Sequence, residues 1–304
     1  MVIGGAGFLG SHLVDRLLAD GWSVLCLDNF VTGSKENLDH LEDEDAFTFI
    51  EHDIRRPLEL DVELTVVWHL ASLASPEAYL AKPIETLEVG SLGTANALEL
   101  ARKSNALFVF TSTSEVYGDP EVSPQPETYR GNVSPTGPRA VYDESKRYAE
   151  ALTMTYHRDG LDVRIARIFN TYGPRLQPGD GRAVSNFIRQ ALADEPVTVY
   201  GDGSQTRSFC YVDDMIDGLI ALSKGDLPGP MNIGNPDERT ILDLAQLVID
   251  KTGSSSEIRF LPLPEDDPQR RLPDISLARE HLGWEPKISL DDGIERTISW
   301  FEQI

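Results

Sequence analysis

The chain has 304 residues, with 27 Lys and Arg against 50 Asp and Glu, a formal charge of -23 and a pI near 4.5. An acidic surface of that strength repels phosphate backbones and anionic bilayers, which argues against nucleic acid or a membrane as partner. Two cysteines (Cys26, Cys210) are too few for a disulfide framework, six histidines form no close metal cluster, and no apolar run approaches the ~18 residues of a bilayer span, so a cytoplasmic protein without a metal is expected.

The first strand, Met1 to Ile3, is shorter than the usual ~5 residues, which suggests that the native chain began further upstream. It runs into GGAGFLG, where Gly4, Gly7 and Gly10 have the spacing of a tight turn, a close backbone approach to a pyrophosphate and a close helix packing. A helix is expected over 9–20 and strands over 23–28, 47–53 and 66–71. Helix 83–103, strand 106–112, helix 139–159 and strand 163–169 follow. Such apolar runs suit strands buried on both faces of a parallel sheet. After Gly173 the pattern loosens into a helix over 182–193, a strand at Val197–Tyr200, helices over 212–223 and 241–252, and amphipathic stretches from 276 onward. The sequence therefore predicts an α/β fold: a Rossmann-like doubly wound parallel sheet over 1–172, and a smaller C-terminal substrate lobe over 173–304 with parts of 208–234 returning to the first.

Asp28 closes the second strand, where its carboxylate can accept hydrogen bonds from both ribose hydroxyls of NAD and would repel a 2′-phosphate, so NAD is expected over NADP. Asp53-Ile54, after the third strand, resembles the adenine-contact pair of such folds. Tyr142 and Lys146 stand four apart on one helical face, where an ammonium can lower the pKa of a phenol and make it a base for an alcohol proton. Against the acidic average, arginines gather at Arg167, Arg175, Arg182, Arg207, Arg270 and Arg271, which suits an anionic small ligand.

Together GGAGFLGSHL, HLASLASP, TSTSEVYGDPEVSPQPE, GPRAVYDESKR, RIFNTYGPR, TVYGDGSQTRSFCYVDD and DDPQRRLPDI resemble the extended short-chain dehydrogenase/reductases, most closely their UDP-glucuronate decarboxylases. The resemblance implies a reaction in which a temporary C4 ketone turns the uronate into a β-keto acid that sheds carbon dioxide. It implies that Tyr142 takes the C4 hydroxyl proton, that Lys146 holds the phenolate and that Thr113 bonds the same oxygen. Ser114 and Glu115 would then lie beside C5, with Arg271 binding the carboxylate or helping to protonate C5; a surface ion pair of Arg271 with Asp274 is the alternative. Phe8, Leu9, Asn29, Leu70, Ala71 and Ser72 complete the implied NAD pocket. Asn170, Arg182 and Arg207 are the implied diphosphate contacts, Thr198 and Tyr200 the uracil contacts and Tyr79 the glucuronate contact. Ser145 stands where glycine is usual, Gly90 where asparagine is typical, Val141 for cysteine and Arg130 for tryptophan. The resemblance also implies a homodimer through helices 83–103 and 139–159. A UDP-hexuronate 4-epimerase, an NDP-sugar 4,6-dehydratase and a catalytically silent NAD-binding regulator are the rival readings.

Overall fold

The computed structural model of the protein describes residues 1–263 and 270–304. Residues 266–269 of the DDPQRRLPDI motif therefore lie outside the described residues. The first half supplies strands β1 (Val2–Ile3), β2 (Val24–Asp28), β3 (Phe47–Glu51), β4 (Val66–His69), β5 (Leu107–Thr113) and β6 (Val163–Ile168). The second half adds β7 (Thr171–Tyr172), β8 (Val197–Tyr200), β9 (Thr206–Ser208), β10 (Cys210–Tyr211), β11 (Pro230–Ile233), β12 (Glu238–Thr240), β13 (Ile258–Leu261) and β14 (Arg270–Arg271). A seven-stranded parallel sheet runs in the order β11-β6-β5-β4-β1-β2-β3, a Rossmann-like doubly wound arrangement.

The helices are α1 (Phe8–Ala19), α2 (Pro76–Ala81), α3 (Pro83–Glu88), α4 (Thr94–Ser104), α5 (Ala140–Arg158), α6 (Ala183–Leu192), α7 (Val212–Lys224), α8 (Ile241–Thr252) and α9 (Leu290–Phe301). Neighbouring residues on a strand point to opposite faces, and both faces of this sheet are buried. Val2 and Val109 join the core that continues under α1, α6, α7 and α8, whereas Ile3, Phe108 and Phe110 join the core under α4 and α5.

Three differences from the sequence expectation bear on the site. The helix expected over 83–103 is broken into α3 and α4 by a π-helical turn, Val89–Gly93, that holds two glycines. A separate α2 precedes it, started by Ser75, whose hydroxyl caps the Ala78 amide, and by Pro76 in the first turn. Residues 206–211 and 270–271 form strands too short to show any periodicity in sequence: β9 lies between β12 and β14, and β10 pairs with β7.

Candidate active site

The glycine loop is built for a close approach. Gly4 has φ +84°, and a Cβ there would stand 2.6 Å from the Ala71 amide nitrogen; one on Gly10 would stand 2.0 Å from the Gly4 carbonyl oxygen. Gly7 caps α1 without a side-chain hydrogen bond, which leaves the first-turn amides of Phe8 and Leu9 for an anion. Asp28 is buried at the end of β2, and its two oxygens accept from the Ala6 amide (3.0 Å) and the Phe30 amide (2.9 Å). Burial pushes its carboxyl up, and those amides pull it back. The glycine loop, Asp28 and the turn at Leu70, Ala71 and Ser72 make a cradle that fits a dinucleotide. Asn29 beside it is exposed and accepts from the Val31 amide at 3.2 Å.

The pair proposed for adenine has other partners here. Asp53 forms a bidentate ion pair with Arg55 (2.7 and 3.1 Å), which also reaches Glu88, and the Ile54 side chain belongs to the core under α4.

On the other side of the sheet ends, Thr113 closes β5, and its hydroxyl accepts from the Glu115 amide at 3.2 Å and shares a hydrogen bond with Tyr142. Tyr142 lies in the first turn of α5, stacked on Tyr79 at 5.4 Å with the planes 8° apart, so Tyr79 is part of the site and buried there. Lys146, one turn on, donates to the Thr111 carbonyl at 2.8 Å, with its Nζ 6.0 Å from the Tyr142 ring centre. Burial lowers the lysine to about 7, partly opposed by Glu150, and burial likewise raises the phenol far above its ordinary value despite the Thr113 hydrogen bond. The expectation that the lysine lowers the phenol thus meets a stronger opposing effect: both groups are so deeply enclosed that each is pushed towards its neutral form.

Glu115 sits in the turn Ser114–Tyr117 and accepts from Arg139 at 2.9 Å and, more closely, from Arg271. Burial would raise its carboxyl, but Arg271 and Arg139 outweigh that and hold it below the ordinary range. Arg271 is 6% exposed and faces Arg207 in the register of β14 with β9, so the alternative ion pair with Asp274 is not formed. Asp274 accepts instead from Ser276. Ser114 is buried next to Glu115.

The implied nucleotide contacts are placed less uniformly. Arg207 is buried, with Nη1 donating to the Thr206 carbonyl at 2.9 Å, and Arg182 pairs with Asp180 at 3.3 Å while its charge reaches Tyr142. The Asn170 carbonyl accepts from the Cys210 amide, the Thr198 amide and hydroxyl are held by Gln190, and Tyr200 is exposed.

Arg139 and Asp143 belong to the GPRAVYDESKR motif, which by itself assigns neither a role. Both flank Tyr142 on the turn where α5 begins, and their four-residue spacing was the available signal. A buried network behind the site was also missed: Arg167 grips Glu150 bidentately (2.7 and 2.9 Å), Glu150 accepts from Ser112 at 2.6 Å, and Tyr117 donates to Asn232 at 2.8 Å. Among the described residues, no group of three or more His, Cys, Asp or Glu is placed to hold a metal, and no helix is long and apolar enough to cross a membrane.

Residues 1–234 match the NAD dependent epimerase/dehydratase family. The chain is 54% identical over 302 residues to UDP-glucuronic acid decarboxylase 1 of Arabidopsis thaliana, covering 99% of this chain and 69% of that protein. It is 51% identical to UDP-glucuronic acid decarboxylase 1 of Danio rerio, covering 100% of this chain and 72% of that one. Among solved structures, the UDP-glucuronic acid 4-epimerase of Bacillus cereus in complex with UDP-glucuronic acid and NAD superimposes with a TM-score of 0.87 at 31% identity, over 99% of this chain and 98% of the other.

Proposed function

The chain belongs to the NAD dependent epimerase/dehydratase family, and from that premise we propose that it decarboxylates UDP-glucuronate to UDP-xylose through a 4-keto sugar, with NAD restored in each turnover. The observation that supports this most directly is a carboxylate held between two guanidiniums, Glu115 with Arg139 and Arg271, directly beside the Thr113–Tyr142 pair. Hydride chemistry at C4 alone needs only the second of these.

Gly4, Gly7, Gly10, Phe8, Leu9 and Asp28 would hold the dinucleotide, with Asp28 favouring NAD over NADP. Bound NAD supplies the hydride acceptor at C4 and afterwards the same hydride. Tyr142 takes the C4 hydroxyl proton while Thr113 fixes the oxygen, and Lys146, enclosed beside the ring, stabilises the phenolate that results. Arg271 binds the uronate carboxylate, and Ser114 and Glu115 orient it so that the C5–C6 bond stands perpendicular to the plane of the carbonyl it will conjugate with. The bond pair passes into that carbonyl as carbon dioxide leaves, and C5 then takes up a proton from outside the substrate. Arg207, Arg182 and Asn170 take the diphosphate, Thr198 and Tyr200 the uracil, and Tyr79 the sugar ring. The exposed apolar residues of α2, α3 and the π-turn, with Tyr148 of α5, suit a homodimer, and two buried free thiols suit the reducing cytoplasm.

Purified protein incubated with NAD and UDP-glucuronate labelled at C6 should release labelled carbon dioxide and leave UDP-xylose by mass spectrometry. Retention of the label, with UDP-galacturonate or a 6-deoxy product formed instead, would assign the site to an epimerase or a dehydratase.

A further inference from the structure

Asp143 has no part in the chemistry described so far, yet it is buried next to Tyr142 and feels the charges of Glu115, Arg139 and Arg271. Its residue is 6% exposed, and its Oδ1 is buried with no hydrogen-bond partner among the described residues. The charges around it come from four elements: Glu115 from the turn after β5, Arg139 from the approach to α5, Arg271 from β14 and Glu144 from α5 itself. Its own charge is felt by Tyr142 and by Tyr79 of α2. Burial first, then Glu115, push its carboxyl up to about 7, against the pull of Arg139 and Arg271. A carboxylate with one oxygen unpartnered at that depth is costly, and a neutral carboxylic acid far less so.

The proposed reaction has a proton balance that the site must meet. A uronate carboxylate leaves as neutral carbon dioxide, the C5–C6 electron pair becomes an enolate, and C5 regains a C–H bond. Each turnover therefore consumes one proton from outside the substrate. Tyr142 cannot supply it net, because the proton it takes from the C4 hydroxyl returns to the same oxygen when the ketone is reduced. Glu115, clamped between two guanidiniums, is ionised at rest.

Resting on the decarboxylase reading, we infer that Asp143 is the proton store of the reaction: it binds a proton as the uronate carboxylate enters the Arg271–Glu115 cluster and yields it through Glu115 to C5 once carbon dioxide has left. The incoming carboxylate adds a negative charge beside Arg139 and Arg271 and weakens the attraction that favours ionised Asp143, so substrate and proton bind together. Asp143 acts through Glu115 and is not in contact with the reacting atoms.

The test is calorimetry on the NAD-loaded protein carrying Tyr142→Phe, which blocks turnover, titrated with UDP-glucuronate in two buffers of different ionisation enthalpy. About one pH unit above neutrality the binding should take up ~0.5 to 1 proton, and UDP-xylose, which lacks the carboxylate, close to none. Adding Asp143→Asn should abolish the uptake while UDP-glucuronate still binds; equal uptake with and without Asp143→Asn overturns the inference. Infrared difference spectra need no substitution at Asp143: a protonated-carboxyl band should grow on adding UDP-glucuronate and not UDP-xylose, and its absence is equally decisive against. In otherwise unaltered enzyme, Asp143→Asn should slow carbon dioxide release ~30-fold and remove the alkaline limb of its kcat profile. An unchanged limb also defeats the inference, whereas no carbon dioxide from the parent protein would defeat the decarboxylase reading itself.

Discussion

At the scale of single residues, burial is the strongest influence on the groups proposed to react. Tyr142 and Lys146 are each almost wholly enclosed, and neither has a charged hydrogen-bond partner among the described residues. Tyr142→Phe keeps the ring and its stack on Tyr79 but removes the hydroxyl proposed to take the C4 proton. The variant should bind UDP-glucuronate normally and lose about a thousandfold in kcat, measured as carbon dioxide release. Lys146 gives a prediction about stability and pH. Its folded value of about 7 lies below the ordinary 10.5, so the unfolded chain binds the proton more tightly, and stability rises with pH between those values. The penalty for enclosing the ammonium is complete below about 7 and gone above the ordinary value. Lys146→Met should therefore raise the Tm of the apoprotein by several degrees near pH ~6 and by much less near pH ~10, by scanning calorimetry. An equal shift at both pH values would show that packing, not charge, decides the effect.

At the scale of elements, the legible parts were those with a long apolar period. Strands β2, β4, β5 and β6 and helices α1 and α5 lie within a residue or two of where the alternation of apolar runs placed them. The glycine spacing and the Tyr142–Lys146 pair were legible because each is local: the turn and the helix face are set within a few residues. What escaped was non-local. Strand β14 has two residues; the family resemblance sets Arg271 beside Glu115, but the pairing with β9 that helps to bring it there is specified by nothing nearby in sequence. The π-turn escaped because Gly90 reads as an ordinary helix residue. Its reason is steric: a Cβ there would stand 2.5 Å from the Ser145 Cβ of α5. Gly90 and Ser145, two separate departures from the family pattern in sequence, thus face one another, the glycine making room for the serine. Gly90→Asn alone should overpack the contact and cost ~1 to 3 kcal/mol in urea unfolding. Adding Ser145→Gly should restore at least ~1 kcal/mol, a coupling that independent sites would not show.

At the scale of the whole molecule, two joins determine what the site can do. The first holds Arg271 in place: the Gln125 amide donates to the Leu272 carbonyl at 2.8 Å, its side-chain oxygen accepts from the Leu272 amide at 2.8 Å, and its carbonyl accepts from Asp274 and Asn232. Gln125→Ala keeps the main-chain bonds but removes the side-chain oxygen that fixes the Leu272 amide, loosening the segment next to Arg271, so carbon dioxide release should fall severalfold while C4 oxidation, read as NADH absorbance, persists. The second is the proposed contact between copies of the chain. Leu80, Ile84, Leu87, Leu92 and Tyr148 are exposed, and Ile84 is 63% exposed, on the surface where α2, α3, the π-turn and α5 meet. Isolated apolar residues on a surface need no explanation, but several exposed on packed neighbouring elements suit the proposed homodimer. A charge of -23 on each copy opposes association, so contact between copies must rest on apolar burial, and salt should strengthen it by screening the repulsion. Sedimentation equilibrium should show a dimer that tightens severalfold between ~0.05 and ~0.5 M NaCl, the reverse of an interface stitched by ion pairs. Ile84→Glu should yield a monomer with an unchanged far-UV spectrum, because the side chain is bound to no core. A dimer that survives this substitution, or that weakens with salt, would place the contact on another face of the molecule.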